Sequence, residues 1–211
     1  MERAFIYGDS LLKATVPDED MHYRFHLPEV MAQYPTDRLE VVNRAKMGAT
    51  VTKGLSLVEH DVQRGMDARW ALVAYGGNDS DFDWEAIAAA PEQEHLPHTV
   101  LPEFIEKLRC AVQELASAGV QPVLMTLPPI NPAQIAKAFD QPTAADWQEK
   151  FAKVNAFIRT QPHIDTAAPF TRYDEMPKEL AMDGLHGDVR AKMMMASAIN
   201  QALAKERRRA K

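Results

Sequence analysis

Hydrophobic positions in this chain fall into short apolar runs, separated by stretches in which they recur at threes and fours. The runs near 3–7, 39–43, 69–75, 121–126 and 162–166 read as strands. Between them the period changes. Phe104, Ile105, Leu108, Val112 and Leu115 share one helical face, opened by Thr99 or Pro102 and closed by Gly119. Trp147, Phe151, Val154 and Ile158 step by four, three and four; Val189, Met193, Ala196, Ile199 and Leu203 keep similar spacing near the C-terminus. A shorter helix fills 52–64 and stops at Gly65. Strands alternating with helices predict βαβ units and a parallel sheet, hence an α/β fold.

That reading gives particular residues a place. Ser10, in Gly8-Asp9-Ser10-Leu11, lies just past the first strand, at the carboxyl edge where open α/β sheets put their ligands. Gly48 follows the second strand, Asn78 the third, and Asp183 with His186 precedes the last helix. In neighbouring parallel strands all four points converge on one end of the sheet. The long proline-bearing connections 13–35, 79–98 and 128–143 follow the first, third and fourth strands and belong to that same edge, as a pocket wall, a lid or plain cover.

The residue types suit ester chemistry. A serine hydroxyl attacks only when a base takes its proton. His186 is the candidate base, and Asp183 three residues earlier can fix its tautomer from the other ring nitrogen. Gly48 offers an unobstructed backbone N–H and Asn78 a side-chain amide to a developing oxyanion. Taken alone, each has a plainer reading: Asp183 as a helix cap, Gly48 and Gly76-Gly77-Asn78-Asp79 as turns. Asp9 is expected to point away and bond loop backbone.

Composition narrows the class. The chain has 211 residues, enough for one domain with a full core, and we expect a single domain over 1–211. A net charge of −6 argues against a general nucleic-acid footprint. The lone cysteine, Cys110, excludes an intrachain disulfide and falls within a helix, as a structural thiol. No apolar run approaches the roughly 20 residues of a membrane span, and Met1–Phe5 leads directly into a strand, so a cytoplasmic location is expected. His22/His26 and His95/His98 have helical spacing but no third ligand nearby, and no metal is expected. Without G-x-G-x-x-G or a Walker motif, no nucleotide or other cofactor is expected. The basic tail 205–211 is expected to complement the helix dipole and then fray.

Gly8-Asp9-Ser10-Leu11, Gly48 in Asn43-Arg44-Ala45-Lys46-Met47-Gly48, Gly76-Gly77-Asn78-Asp79 and Asp183-Gly184-Leu185-His186 resemble, in order and approximate spacing, the four blocks of the SGNH hydrolases, the GDSL esterase/lipase family. The resemblance covers nearly the whole chain, with Ala45 standing where the second block often carries glycine. It implies a three-layer α/β/α sandwich, flavodoxin-like, around a five-stranded parallel sheet of order 2-1-3-4-5. It implies Ser10 as nucleophile, Asp183 and His186 completing a triad, and an oxyanion hole from Ser10, Gly48 and Asn78. The G-x-S-x-G elbow is absent, since Leu12 occupies its second glycine position.

The expected partner is a small-molecule ester, with short-chain acyl or carbohydrate O-acetyl esters preferred. Acyl transfer, lysophospholipase or thioesterase activity, and a non-catalytic flavodoxin-like binding domain are the alternatives. Phe82 and Trp84, following Asn78, either line the substrate pocket or pin their loop to the domain. Oligomeric state is not legible.

Overall fold

The computed structural model describes residues 2–24, 39–140 and 145–209. One parallel sheet is built from β1 (Glu2–Gly8), β4 (Leu39–Asn43), β5 (Trp70–Ala74), β6 (Gln121–Met125) and β7 (His163–Ile164). Their order is β4-β1-β5-β6-β7. The numbers skip because an antiparallel ribbon, β2 (Val16–Pro17) and β3 (Tyr23–Arg24), is inserted after β1. Leaving the ribbon uncounted, the sheet reads 2-1-3-4-5. The helices are α1 (Val51–Gln63), α2 (Gly77–Ser80), α3 (Trp84–Ala89), α4 (Leu101–Ser117), α5 (Pro132–Phe139), α6 (Ala145–Ile158) and α7 (Val189–Arg209), with a 3₁₀ turn over Ala168–Phe170.

Alternation along the strands divides two cores. Phe5, Tyr7, Ala71, Val73 and Leu124 pack with Val58, Phe104, Leu115, Phe151 and Val154 of α1, α4 and α6. Ala4, Ile6, Trp70, Leu72, Val123 and Met125 pack with Phe170 and with Ala191, Met195, Ile199 and Leu203 of α7. Covered on both faces, β5 and most of β1 carry no polar alternation, whereas the edge strand β4 keeps an exposed Glu40. This accounts for the continuous apolar runs.

The register positions the site. β1 pairs with β4 on one side (Ile6 opposite Asn43) and with β5 on the other (Gly8 opposite Ala74). The chain therefore leaves β1 toward one neighbour and returns to the other. Such a switch point opens a crevice at the carboxyl ends of the strands, and the loops holding Gly48 and Asn78 flank the one holding Ser10.

Some sequence-based boundaries change. The connection 128–143 contains α5, with Asn131 accepting from the Gln134 N–H at 2.9 Å and Pro132 in the first turn. The connection 79–98 contains α3. Regular strand over 162–166 shrinks to His163–Ile164, an edge strand. The expected fraying from 205 gives way to helix through Arg209. Arg207 reaches Glu2 at 3.3 Å and lies over the Trp70 ring, which holds the last turn against the sheet. Residues 25–35 and 141–143 of the expected loops, and His26, lie outside the described residues.

Gly54, inside α1, shows a packing constraint acting on the site. A Cβ there would come within 2.3 Å of Cε2 of Tyr75, a fully enclosed ring one residue before Gly76. Helix propensity alone would favour Gly54→Ala by about 1 kcal/mol. Overpacking costs roughly 1–3 kcal/mol and here wins, because Tyr75 has nowhere to move. Gly54→Ala is expected to lower the urea midpoint; a raised midpoint would show that the ring yields.

Candidate active site

After Gly8 the chain turns sharply. Asp9 Oδ1 accepts the Leu11 N–H at 2.9 Å, and the Ser10 carbonyl accepts the Thr15 N–H at 3.3 Å. Ser10 stands at the head of this turn with its Oγ 2.9 Å from His186 Nε2. His186 Nδ1 is 2.6 Å from Asp183 Oδ2, and Asp183 Oδ1 accepts the N–H groups of Leu185 (2.9 Å) and His186 (2.7 Å). All three residues are buried, Asp183 completely. Asp183 does not cap α7, whose first turn is capped by Asp188 Oδ1 accepting the Ala191 N–H at 2.9 Å; instead it closes its own turn and also engages the imidazole.

Charge logic assigns the protons. Burial works to raise the Asp183 pKa, but hydrogen bonds and charge from His186 and the backbone donors win, and the net shift is downward. An ionised carboxylate only accepts, so His186 Nδ1 carries a proton and Nε2 is left to accept from the Ser10 hydroxyl. Such a line can draw the proton from an attacking serine and hold the resulting imidazolium.

The Gly48 loop and the Asn78 turn are joined to each other and to Asp9, the neighbour of Ser10. Backbone pairing continues beyond β4, with Arg44 N–H donating to Ile6 O (2.8 Å) and Lys46 N–H to Gly8 O (2.9 Å). Ala45, where glycine was the family habit, is accommodated: its N–H is taken by Asn43 Oδ1 at 2.9 Å. Gly48 has φ +67° and no atom within 4 Å of the Cβ it lacks, so its loop borders open space. The Asn78 amide donates to Ala49 O (3.1 Å) and to Asp9 Oδ2 (3.3 Å). Asp9 therefore does more than was expected of it, bonding loop backbone through one oxygen and Asn78 through the other. Burial pushes its carboxyl up to about 6. Gly76 at φ +124° starts the Asn78 turn, and Trp147 Nε1 pins that turn by donating to Gly77 O at 3.0 Å.

Other contributors were missed from sequence. Asp79 accepts the Val51 N–H at 3.0 Å and so caps α1 from another loop. Lys192 is buried in α7 and donates to Leu11 O at 2.9 Å. Burial drives its pKa down to about 8, while Asp9 and Asp183 oppose the drop. A signal existed: Lys192 lies three after Val189 and four before Ala196, on the apolar stripe. Tyr23 donates to Asp183 Oδ2 at 3.2 Å and had no such signal.

Phe82 and Trp84 contact one another edge-to-face at 5.7 Å; Lys150 covers the Phe82 ring, and Trp84 Nε1 donates to Asp81 Oδ1 at 2.7 Å. These contacts hold the 79–98 connection to α6. His95 bonds Ala90 O at 2.8 Å, and Cys110 is an exposed thiol on α4. Among the described residues, Asp18, Asp20 and His22 bring possible metal-ligand atoms within 4.8 Å of one another. Asp18 Oδ1 there accepts the N–H groups of Asp20 and His22, which closes the ribbon turn. No described helix is long and apolar enough to cross a membrane.

The parallel sheet thus carries a hydrogen-bonded serine, histidine and aspartate at its carboxyl edge. Residues 6–190 match the model of the GDSL-like lipase/acylhydrolase family; the chain belongs to that family, and the match makes it an esterase-type hydrolase. Its fold is shared with Est24, a carbohydrate acetylesterase from Sinorhizobium meliloti (12% identity, TM-score 0.71, covering 97% of this chain and 99% of that one). It is shared also with a GDSL-like lipase from Bacteroides thetaiotaomicron (14%, TM-score 0.68, 97% and 89%) and with Axe2, an acetylxylan esterase from Geobacillus stearothermophilus (21%, TM-score 0.67, 95% and 93%). No curated protein sequence matches the chain.

Asp183 gives a test with a defined sign. A carboxyl held below its ordinary 3.8 contributes folding stability above that pH and loses it as pH falls. Asp183→Asn is expected to cost roughly 2 kcal/mol near pH 7, as for hydrogen bonds to a charged group. The gap between variant and parent should narrow below about pH 4. Urea unfolding at pH 7 and pH 3 measures both; an equal gap at the two values would refute the electrostatic origin.

Proposed function

We propose that the chain cleaves short-chain acyl or O-acetyl esters, including those of carbohydrates, with Ser10 as nucleophile, His186 as base and Asp183 as its orienting partner. The observation carrying this reading is the unbroken line from Asp183 Oδ2 through His186 to Ser10 Oγ, with contacts of 2.6 and 2.9 Å. As Ser10 Oγ bonds the acyl carbon, its proton passes to Nε2 and the carbonyl oxygen becomes an oxyanion. Collapse breaks the bond to the leaving alkoxide, which takes the proton from Nε2. Water, deprotonated by His186, then releases the acid and restores the Ser10 hydroxyl.

The backbone N–H groups of Ser10 and Gly48 and the amide of Asn78 are assigned to the oxyanion. At rest both Nδ2 protons of Asn78 are engaged, and the contact to Asp9 is the longer. The oxyanion takes over that proton, so the donor is already ordered before substrate arrives. The tight enclosure of Ser10 and His186 supports a small acyl group. So does the shared fold of proteins described as carbohydrate acetylesterase and acetylxylan esterase. The extent of the family match, 6–190, supports one domain over the chain.

Ser10→Ala is expected to reduce turnover of p-nitrophenyl acetate on the order of 10⁴-fold or more, with unfolding unchanged. Turnover at the parental rate would defeat the assignment. Across acetyl, butyryl and octanoyl p-nitrophenyl esters, kcat/KM should fall by at least about tenfold from first to last, each lost good fit being worth about 1.4 kcal/mol per decade. Octanoyl hydrolysis as fast as acetyl would rule out a small acyl site.

A further inference from the structure

The ribbon inserted after β1 brings a residue onto the Asp183–His186 pair that the proposed reaction does not use. The Tyr23 hydroxyl donates to Asp183 Oδ2 at 3.2 Å, sharing that oxygen with His186 Nδ1 at 2.6 Å. Its ring meets the His186 ring edge-to-face with centroids 5.0 Å apart. The three other hydrogen bonds described for Asp183 come from Leu185 and His186, within its own tight turn. Tyr23 alone among the described donors ties Asp183 to a distant part of the chain.

That distant part is the nucleophile's own loop. The Ser10 carbonyl accepts the Thr15 N–H, β2 begins at Val16, and Pro17 pairs with Tyr23 across the ribbon. The ribbon end is closed by Asp18, whose carbonyl accepts the Met21 N–H at 3.0 Å and whose own N–H donates to His22 O at 2.8 Å. A short hydrogen-bonded strap therefore runs from the serine to the carboxylate. Burial, then the neighbouring Asp183 charge, drives the Tyr23 phenol well above its ordinary pKa. It stays a neutral donor throughout the working range.

We propose that Tyr23 is a positioning residue of the esterase centre: its hydroxyl and ring hold the Asp183–His186 pair in line with Ser10. The proposal rests on the functional reading above. Asn131 N–H holds the backbone of the 183–186 turn at Gly184 O (2.8 Å), but among the described donors only Tyr23 reaches the Asp183 carboxylate from outside the turn. Without it the side-chain pair can shift, and a small misplacement of Nε2 relative to Oγ is costly in rate. The ring also packs against the His186 imidazole, and with Asp183 fully buried the carboxylate acts on that imidazole in a weakly screened setting.

Tyr23→Phe removes the hydroxyl and keeps the ring; Tyr23→Leu removes both. With p-nitrophenyl acetate, Tyr23→Phe is expected to lower kcat on the order of tenfold with KM within about twofold, as when an interaction specific to the transition state is lost. Tyr23→Leu should lower it further. A readout specific to the mechanism is the low-field proton NMR signal of the His186 Nδ1–H. In Tyr23→Phe the oxygen has lost its competing donor, so this signal should move further downfield. Thermal unfolding of the Phe variant confirms that it is folded. A kcat unchanged within twofold in a folded Phe variant overturns the proposal, and so does a lost kcat with an unmoved signal. Ser10→Ala run alongside separates the two levels. If it is as active as the parent, the functional reading itself has failed; if it is inactive while Tyr23→Phe is unaffected, only the positioning role has.

Discussion

A carboxylate can only accept hydrogen bonds, and much of the site follows from that constraint acting on Asp183. Four donors converge on its two oxygens: two backbone N–H groups, the His186 ring and the Tyr23 hydroxyl. With the carboxyl so satisfied it stays ionised despite burial, and its charge fixes which imidazole nitrogen bears a proton. Only one tautomer leaves Nε2 free to accept from Ser10. The geometry linking residues 10 and 186 thereby rests on a turn four residues long, held from outside by the Asn131 N–H on Gly184 O and by the Tyr23 hydroxyl on the carboxylate itself.

The sheet makes this meeting possible. β1 is flanked by β4 and β5, so the loops bearing Gly48 and Asn78 must rise on either side of the Ser10 turn. Around the serine the structure keeps buried charges close together: Asp9, which bonds Asn78, and Lys192, which bonds the carbonyl next to the serine. Burial disfavours the charged form of each, and each partly offsets the cost for the other. Such an arrangement ties the Ser10 turn to α7 on one side and to the Asn78 turn on the other.

How far these features could be read from sequence depends on how local their cause is. Strands packed on both faces leave continuous apolar runs, so β1, β4, β5 and β6 are visible, and with them the strand-end positions of Ser10, Gly48 and Asn78. Asp183 and His186 were visible because their spacing is itself the turn. Helix α5 escaped within a proline-bearing stretch, although Asn131 followed by Pro132 is a start signal. The strand read near 162–166 exists as β7, but with two residues and no period its length was overestimated. Tyr23 was illegible for a different reason. The ribbon pairs only two residues per strand, and its place is set by docking onto Asp183, a contact spanning 160 positions that no local pattern encodes. Lys192 lay on a readable stripe, but its partners Leu11, Asp9 and Asp183 are joined only by the fold.

The most direct measurement is the rate at which a fluorophosphonate modifies the folded protein, followed by peptide mapping. An activated serine predicts a single adduct on Ser10, with labelling slowed on the order of 10³-fold or more in His186→Ala. An adduct at another residue, or equal labelling rates in the parent and His186→Ala, would contradict the account.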